Sequence, residues 1–408
     1  MRKFLFAAAG FIFFLAVFSL LPEAEAAPAF ARQTGLACNT CHFQHFPTLN
    51  AFGRAFKAGG YTLVGGQSMV EGDFLSIPAT LNASLVTKIR YQKTNGDDEA
   101  EPTNKGELQF PDEAALLIGG RAGEHVGFLA EVQLADNATP ALASYKMPIV
   151  YTVSDTNINV IPFSTDALGA SYGFELLNTG AVHHQRPLEH ASDMSAQQYI
   201  GTDTAATGVA FVAAHSLYHV NYTMWAPVHG TNNAGPYLSY IRAAVTPTLA
   251  GWDAGAGAQV WKGTTKYDDG TGTMVRQSAD AWSLDAQMQG PVANMPLGVY
   301  LSYGTARKSA AGETANLLNA GSNDRSAWAL TGELGVMPGR LTLSAGYRAG
   351  KQGNVANDDD NAFLIGASYL VTQNVQLQLN HSLYSGSAFD TPQATGDSLT
   401  TLMVFAAF

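Results

Sequence analysis

The chain has little charge, few cysteines and, beyond its first residues, no long apolar run. Charged residues make up 13% of the 408 positions, and the net charge is −11. This acidic balance argues against nucleic acid as a partner, because phosphate binding requires clustered Lys and Arg. After Leu21 no stretch approaches the about 20 apolar residues of a transmembrane helix. The two cysteines, Cys38 and Cys41, are too close together for a disulfide between them to stabilise a fold much.

The first 26 residues have the three parts of a secretory signal peptide. Residues 1–3 carry two basic side chains, residues 4–21 are apolar, and Ala24 and Ala26 occupy the positions that a signal peptidase reads. The alternative is an N-terminal membrane helix, since this apolar run is just long enough to cross a bilayer. The cleavage site and the polar chain beyond it favour removal. We therefore expect residues 1–26 to be a cleaved signal peptide and the protein to be exported.

The next part, residues 27–70, contains no Asp or Glu, and its charges are Arg32, Arg54 and Lys57. Within it, the stretch 46–57 has apolar residues at helical spacing. Its composition predicts a small, basic, partly helical domain.

Two features predict the ends of this helix. Thr48 or Asn50 is suited to cap its first turn, and Gly59-Gly60 is suited to end it.

From Glu71 onward the sequence alternates between polar and apolar residues, as strands do. The clearest examples are 282–289 (WSLDAQMQ), 340–348 (RLTLSAGYR) and 375–382 (VQLQLNHS). A soluble sandwich would alternate in the same way, so the loops have to decide. Tight turns alternate with long polar loops towards the C-terminus, and the chain ends on an alternating strand closed by Phe408. Both features are typical of outer-membrane barrels.

The strand count follows from segment lengths and parity. Eleven strands are clear from about residue 206, and five or six can be placed between 74 and 177. If the long segment 178–205 is an outer loop, the number before it is odd, which gives five and a total of sixteen. We therefore expect residues 71–408 to form an all-β transmembrane barrel of about 16 antiparallel strands. Such a barrel is wide enough for water or a plug, and residues 27–70 are the candidate plug.

The two cysteines form the sequence Cys-Asn-Thr-Cys-His, which is the C-x-x-C-H attachment motif of c-type haem. Two thiols one helical turn apart match the two haem vinyl groups, and His42 then lies under the iron as the proximal ligand. Export suits this cofactor, since c-type haem is attached after export. The alternative is a redox-active C-x-x-C pair, but the βαβ setting of that motif is missing around Cys38 and Cys41.

The opposite ligand of the haem iron is left open by the sequence. His45 is only three residues from His42 and cannot easily reach the other face of the ring. Met69 is within reach, and a thioether would raise the potential. A ligand from the barrel wall, or an open position, is the alternative.

The basic residues Arg32, Arg54 and Lys57 suit contacts with the haem propionates. They equally suit docking on inward carboxylates such as Glu131 or Asp285, or a solvated basic face.

Imidazoles and carboxylates cluster in the segment 178–205, where they suit capture of ferrous iron. These residues are His183, His184, His190, Glu189 and Asp193. An ordinary polar surface loop is the alternative.

The stretch AAPAFARQTGLACNTCHFQHFPTLNAFGRAFKAGGYTL resembles the N-terminus of the fused monohaem cytochrome–porins, the outer-membrane ferrous iron oxidases of iron-oxidising bacteria. The matching elements are Phe30-Ala31-Arg32-Gln33-Thr34-Gly35, Cys38, Cys41, His42, Pro47, Gly53-Arg54, Phe56-Lys57 and Gly60-Tyr61. The remainder of the chain matches that family in architecture and not visibly in motif.

The resemblance implies an outer-membrane ferrous iron:cytochrome c oxidoreductase with one covalent c-type haem. Fe(II) outside the cell would be its substrate, and a periplasmic cytochrome c would accept the electron. The barrel would hold the cofactor in position, and no acid–base residue is assigned. Two alternatives stay open: a solute-conducting porin with an appended periplasmic cytochrome domain, and a conduit that carries electrons outward.

Overall fold

The fold is described from a computed structural model of the chain. It covers residues 28–135, 141–184, 191–231, 233–269, 271–309 and 312–408. The expected signal peptide, residues 1–26, lies outside these ranges. Within them, no helix is both long and apolar enough to cross a membrane.

Within the described residues, the α-helices lie in the N-terminal part and in the connections 95–106 and 166–205. The α-helices are α1 Ala29–Thr34, α2 Cys38–Cys41, α3 Ala51–Ala58, α4 Pro102–Lys105 and α5 Ala196–Tyr199. Helical turns of the 3₁₀ type are Ala170–Tyr172, Asn178–Gly180, Ala191–Met194 and Ser387–Phe389.

Strands make up most of the rest. They are β1 Met69–Gly72, β2 Leu75–Pro78, β3 Ala83–Thr94, β4 Glu107–Gly123, β5 Val126–Gln133, β6 Leu142–Lys146, β7 Ile149–Val153, β8 Thr156–Thr165, β9 Ala206–His215, β10 Tyr218–Ala226, β11 Leu238–Val245, β12 Thr248–Leu249, β13 Trp252–Asp268, β14 Met274–Val292, β15 Met295–Ala306, β16 Arg325–Met337, β17 Leu341–Lys351, β18 Asp359–Thr372, β19 Val375–Ser385 and β20 Ser398–Ala407.

Strands β3 to β20 form one closed antiparallel barrel, in which β20 pairs with β3. Two crossings are each split into two pieces: β6 and β7 both pair with β5 and β8, and β11 and β12 both pair with β13. In the described residues the barrel therefore has sixteen strands, five before the long connection 166–205 and eleven after it. The prediction of sixteen strands, with five before that connection, is confirmed.

The barrel does not begin where the composition changes. β1 and β2 form a separate two-stranded hairpin, and the closed sheet starts at Ala83. The expected boundary between residues 70 and 71 falls inside β1. Alternation in a short hairpin looks the same in sequence as alternation in a barrel strand, which explains the difference.

The polar face of each strand points inward and the apolar face points outward. In β14, Ser283, Asp285 and Gln287 are buried while Trp282 and Leu284 are 40% and 50% exposed. The predicted strands in β17 and β19 show the same inversion. A soluble sandwich would bury its apolar face, so this is the arrangement of a transmembrane barrel.

The two ends of the barrel differ. One end carries tight turns such as 154–155, 216–217 and 293–294, and the other carries long connections such as 95–106 and 307–324. We call these the short-turn end and the long-connection end. Both residue 83, where β3 begins, and residue 407, where β20 ends, lie at the short-turn end.

Two stretches contact the inner wall from opposite ends. The N-terminal segment, residues 28–68, bonds wall residues close to the short turns, including Asp253 and Glu333. The inner loop, residues 166–205, leaves from the long-connection end, and its Thr179 bonds Asp285 in the middle of β14. Leu177, Thr179 and many of its other described residues are completely buried.

The predicted outer loop 178–205 is therefore wrong in one respect. Its strands do end at the expected side, but its described residues fold back into the barrel. Length and polarity did not reveal this, because its anchors, such as Gln287 and Ser302, lie more than a hundred positions away along the chain.

Candidate functional site

The C-x-x-C-H sequence forms a tight helical turn within the N-terminal segment. Cys38 and Cys41 begin and end α2, and the backbone N–H of His42 donates to the Cys38 carbonyl at 3.0 Å. Both thiols are free and partly exposed. The turn therefore presents two accessible thiols one helical turn apart, as covalent attachment to haem vinyl groups requires.

His42 follows directly and adopts an extended backbone. Its Nδ1 is buried and has no hydrogen-bond partner in the described residues, while its ring also bonds the backbone carbonyls of Thr48 and Pro47. Burial lowers the pKa of His42 to about 4, which keeps the imidazole neutral as metal ligation demands. The donor set of two free thiols and a neutral histidine with an unpartnered nitrogen fits a c-type haem.

The thiols differ from those of a redox-active pair. Burial raises the pKa of Cys38, and burial together with the neighbouring Cys38 raises the pKa of Cys41. Redox-active C-x-x-C pairs have a lowered thiol pKa instead, since the thiolate is the nucleophile. The electrostatics of the turn therefore do not match those of a redox-active pair.

Helix α3 supports the turn from behind. The Asn50 side chain caps it by accepting from the Gly53 amide at 3.0 Å, and Gly59 follows its last residue, so both predicted ends are confirmed. A Cβ on Gly53 would lie 2.2 Å from the Cys41 carbonyl oxygen. Glycine is therefore required where α3 crosses the turn formed by Cys38–Cys41.

Phe46 and Phe52 remain 40% and 41% exposed beside this turn. The Phe46 ring lies edge-on to the His42 ring at 5.2 Å and stacks on Phe405 of β20 at 5.3 Å. Exposed aromatic rings near two thiols suit an apolar prosthetic group.

His45 is bound to the wall. Its Nε2 lies 2.6 Å from Oε2 of Glu333, and both side chains are completely buried. Burial acts against it, but the Glu333 carboxylate raises the pKa of His45. The weakness of His45 as a second iron ligand thus has a structural counterpart, because its ring is already engaged.

The three basic residues dock on the wall or on the inner loop. Arg54 makes a two-pronged contact with Asp253, at 2.6 and 2.8 Å. Arg32 donates to the carbonyl of Ala83. Burial lowers the pKa of Lys57 to about 8, against the opposing effect of Glu175.

The prediction that these basic residues dock on Glu131 or Asp285 was wrong, because both carboxylates bond other residues. Glu131 contacts Gln133 and Ser144, and Asp285 binds Arg242 and Thr179. Contacts of Arg32, Arg54 and Lys57 with haem propionates stay a prediction.

Met69 lies in the hairpin, where its register partner is Pro78. It thus belongs to a different element from Cys38, Cys41 and His42. Its role as the second ligand of the haem iron stays a prediction.

The inner loop is held by a buried charge cluster on the wall. Arg242 binds Asp285 at 3.0 Å and Glu175 at 2.7 Å, and His219 lies 3.6 Å from Glu175. Burial acts in the opposite direction, but Arg242 lowers the pKa of Glu175. His219 faces the lumen and is completely buried.

The two inward stretches are also joined by hydrogen bonds between Leu49 and Asn178, close to the turn formed by Cys38–Cys41. The Leu49 amide donates to Oδ1 of Asn178 at 2.8 Å, and Nδ2 of Asn178 donates back to the Leu49 carbonyl at 2.9 Å. Leu49 forms a β-bridge with His42. The inner loop therefore contacts the backbone that positions the predicted iron ligand.

One member of the proposed histidine cluster of the loop, His184, does not lie on an outer surface. His184 is buried, both its ring nitrogens lack partners in the described residues, and its ring lies against Tyr300 at 5.2 Å. Glu189 and His190 lie outside the described residues. His183 and Asp193 belong to no group of three or more potential metal ligands in the described ranges. Capture of ferrous iron by this loop stays a prediction.

Sequence reasoning missed the wall and inner-loop residues that bond the N-terminal segment, such as Asp253, Glu333 and Asn178. Their only local signal is a polar side chain on the inward face of a strand, or in a long connection. Most inward positions share that signal, so it does not single out the residues that bond the N-terminal segment.

The chain has low sequence identity to the solved structures that it resembles. No protein-family model matches the chain, and no curated protein does. Among solved structures, the channel DcaP of Acinetobacter baumannii is 12% identical, with 80% of this chain and 97% of that one covered and a TM-score of 0.49. OmpT of Vibrio cholerae is 12% identical, covering 84% and 99%, with a TM-score of 0.45. A variant of Rhodopseudomonas blastica porin is 13% identical, covering 81% and 100%, with a TM-score of 0.47. The barrel itself follows from this chain's own strand register.

Proposed function

We propose that the protein is an outer-membrane ferrous iron oxidase. It takes one electron from Fe(II) outside the cell and passes it, through a single c-type haem on Cys38, Cys41 and His42, to a periplasmic cytochrome c. In enzymatic terms it is a ferrous iron:cytochrome c oxidoreductase. The observation that carries this proposal is the partly exposed C-x-x-C-H turn that is anchored to the inner wall of a closed barrel.

A periplasmic position of the N-terminal segment is supported by its contacts close to the short turns, because outer-membrane barrels have short periplasmic turns and long outer loops. A haem held there lies close to a soluble periplasmic acceptor. The inner loop comes from the outer end and contacts the same segment at Leu49. Export through a cleaved signal peptide, residues 1–26, agrees with this location.

The bound haem supplies a one-electron couple, which suits a one-electron donor such as Fe(II). The chain's own residues hold and orient it. Cys38 and Cys41 would hold the haem covalently, and His42 would supply a neutral nitrogen to its iron. Gly53 lets α3 approach the turn, and Phe46 shields the His42 ring. Arg32, Arg54 and Lys57 are candidates for the propionates, and Met69 for the second axial position.

The pairing of two inward stretches favours electron transfer over bulk solute flow. The N-terminal segment and the inner loop each bond the wall and bond each other. Oxidising Fe(II) outside also has a chemical advantage, because ferric iron precipitates near neutral pH and stays outside the cell.

Anaerobic mixing of the oxidised protein with Fe(II) near neutral pH, followed through the haem absorption, tests the proposal. We expect fast reduction with one Fe(II) consumed per haem. Reduction by dithionite but not by Fe(II) would overturn the iron-oxidase function and favour electron flow outward or a porin.

A solute-conducting porin with an appended cytochrome is the second candidate, and the sixteen-stranded barrel itself favours it. Planar-bilayer conductance separates the two. The iron oxidase should conduct ions poorly, and deletion of residues 28–68 should raise its conductance. High conductance of the full protein would favour the porin.

A further inference from the structure

His45 lies in an environment that holds an additional proton. Its Nδ1 lies 3.1 Å from the Phe46 carbonyl oxygen, and its Nε2 lies 2.6 Å from the Glu333 carboxylate. Both neighbours are acceptors, whereas a neutral imidazole carries only one N–H. Two protons are therefore needed, and the pair holds one more than a neutral histidine beside a carboxylate.

The surrounding hydrogen bonds place that proton on the imidazole. The hydroxyl of Tyr300 donates to the other oxygen of Glu333, and Nε2 of Gln289 donates to Tyr300 at 3.1 Å. Glu333 thus accepts on both oxygens, as an ionised carboxylate does. The result is a buried imidazolium–carboxylate pair without net charge.

This pair is joined to the segment that carries the haem motif. Gln289 also donates to the Leu49 carbonyl at 3.2 Å, and Leu49 forms the bridge with His42. Phe46, whose carbonyl accepts from His45, places its ring against His42 at 5.2 Å. Charge on the pair would therefore act on a haem iron that His42 ligates.

The other ionisable groups around the pair come from each neighbouring element. They are His42 on the N-terminal segment, Tyr300 on β15, His184 on the inner loop, and Asp253 on β13. Arg54 neutralises Asp253, and burial keeps His42 and His184 neutral. The imidazolium of His45 is thus the group in this set that carries a proton to release.

We propose that the His45–Glu333 pair is a proton-binding site coupled to the redox state of the haem, so that one proton leaves the imidazolium when the iron is oxidised. This inference rests on the proposed function for the presence of the haem, but not on Fe(II) as its donor. Oxidation adds one positive charge to the haem, which repels the imidazolium. The electron goes to the acceptor cytochrome, an N–H bond of His45 breaks, and its proton goes to solvent.

Spectroelectrochemical titration of the purified protein between about pH 5 and pH 9 tests the coupling. Above the inflection, the ratio of oxidised to reduced haem at a fixed electrode potential should rise about tenfold per pH unit. His45→Gln should abolish this component. Glu131→Gln, which changes a wall carboxylate that contacts Gln133 and Ser144, is the matched control and should keep it.

Tyr300→Phe sharpens the test without removing the pair. Loss of the hydroxyl that donates to Glu333 makes the carboxylate more basic, so the pair holds its proton to higher pH and the inflection should move upward. Merely structural damage would not move it in that direction.

The outcomes are separable from those of the proposed function. A potential independent of pH in the wild type, or an unchanged pH profile in His45→Gln, overturns the coupling. Haem that Fe(II) does not reduce overturns only the iron-oxidase function. A product without covalent haem overturns both.

Discussion

The N-terminal segment and the inner loop both bond the inner wall, but they expose different chemistry. The N-terminal segment keeps two thiols and two aromatic rings partly exposed around α2. The inner loop has Leu177 and Thr179 completely buried, and Glu175 is bound by Arg242. The N-terminal segment therefore has accessible groups that suit a cofactor, whereas these residues of the inner loop only pack against the protein interior.

The anchoring differs as well. The N-terminal segment uses separate contacts near the short turns, such as Arg54 with Asp253 and His45 with Glu333. The inner loop has, besides separate contacts such as those with Gln287 and Ser302, a concentrated cluster of buried charge around Arg242. Removing one member of a buried charge cluster is strongly destabilising, because it leaves the other charges buried and unpaired.

The largest effect should come from removing the thiols. Cys38→Ser combined with Cys41→Ser should abolish the haem-stained band on a denaturing gel, because no thioether bond remains. Asn39→Ala, an exposed position between the thiols, is the control and should keep the band. Staining that survives the double substitution would refute covalent attachment at this turn.

The next effect concerns the inner loop. Arg242→Met should cost about 3–5 kcal/mol, since Glu175 and Asp285 are left buried and unpaired. Limited proteolysis in intact outer-membrane vesicles should then cut within the inner loop while the haem stain is retained.

The matched control for Arg242 is Lys262→Met. Lys262 pairs with Asp280 on the outside of the barrel and is 62% exposed, so we expect a loss of about 0–1 kcal/mol. Equal sensitivity of both variants would mean that the buried cluster does not anchor the loop.

A smaller effect should follow from separating the two stretches. Asn178→Ala removes both hydrogen bonds to Leu49 and should cost about 1–3 kcal/mol. The Leu49 amide should then exchange its hydrogen faster. Asn157→Ala, which removes one contact with Thr152 near a short turn, should leave that amide protected.

The smallest effect is a pH dependence of the attachment of the N-terminal segment. The pKa of His45 is raised in the folded protein, so its contribution is complete below the ordinary histidine pKa of about 6.5. It is lost as pH rises through the folded value, with a slope of at most about 1.4 kcal/mol per pH unit. Protease cleavage within residues 28–68 should therefore accelerate above that pKa, and Glu333→Gln should flatten the profile.

Local features were predictable because their causes are local. The capping of α3 by Asn50, the turn of Cys38 to Cys41 and the alternation in β14 each depend on residues within a few positions. The strand total also followed, since parity links the number of crossings to the side on which a long connection lies.

Long-range contacts were not predictable from one sequence. His45 and Glu333 are 288 positions apart, and Arg54 and Asp253 are 199 apart. Each wall carboxylate is one of many inward polar residues, so the pattern offers no means to choose among them.

The sequence by itself determined the barrel, its sixteen crossings and the C-x-x-C-H turn, because side-chain alternation and motif spacing are short-range properties. The tertiary structure alone decided that the described residues of 166–205 fold inward, that Arg54 binds Asp253 and that His45 binds Glu333. The physical reason is that closing the barrel brings distant strands around the N-terminal segment, and only then do buried polar groups select their partners.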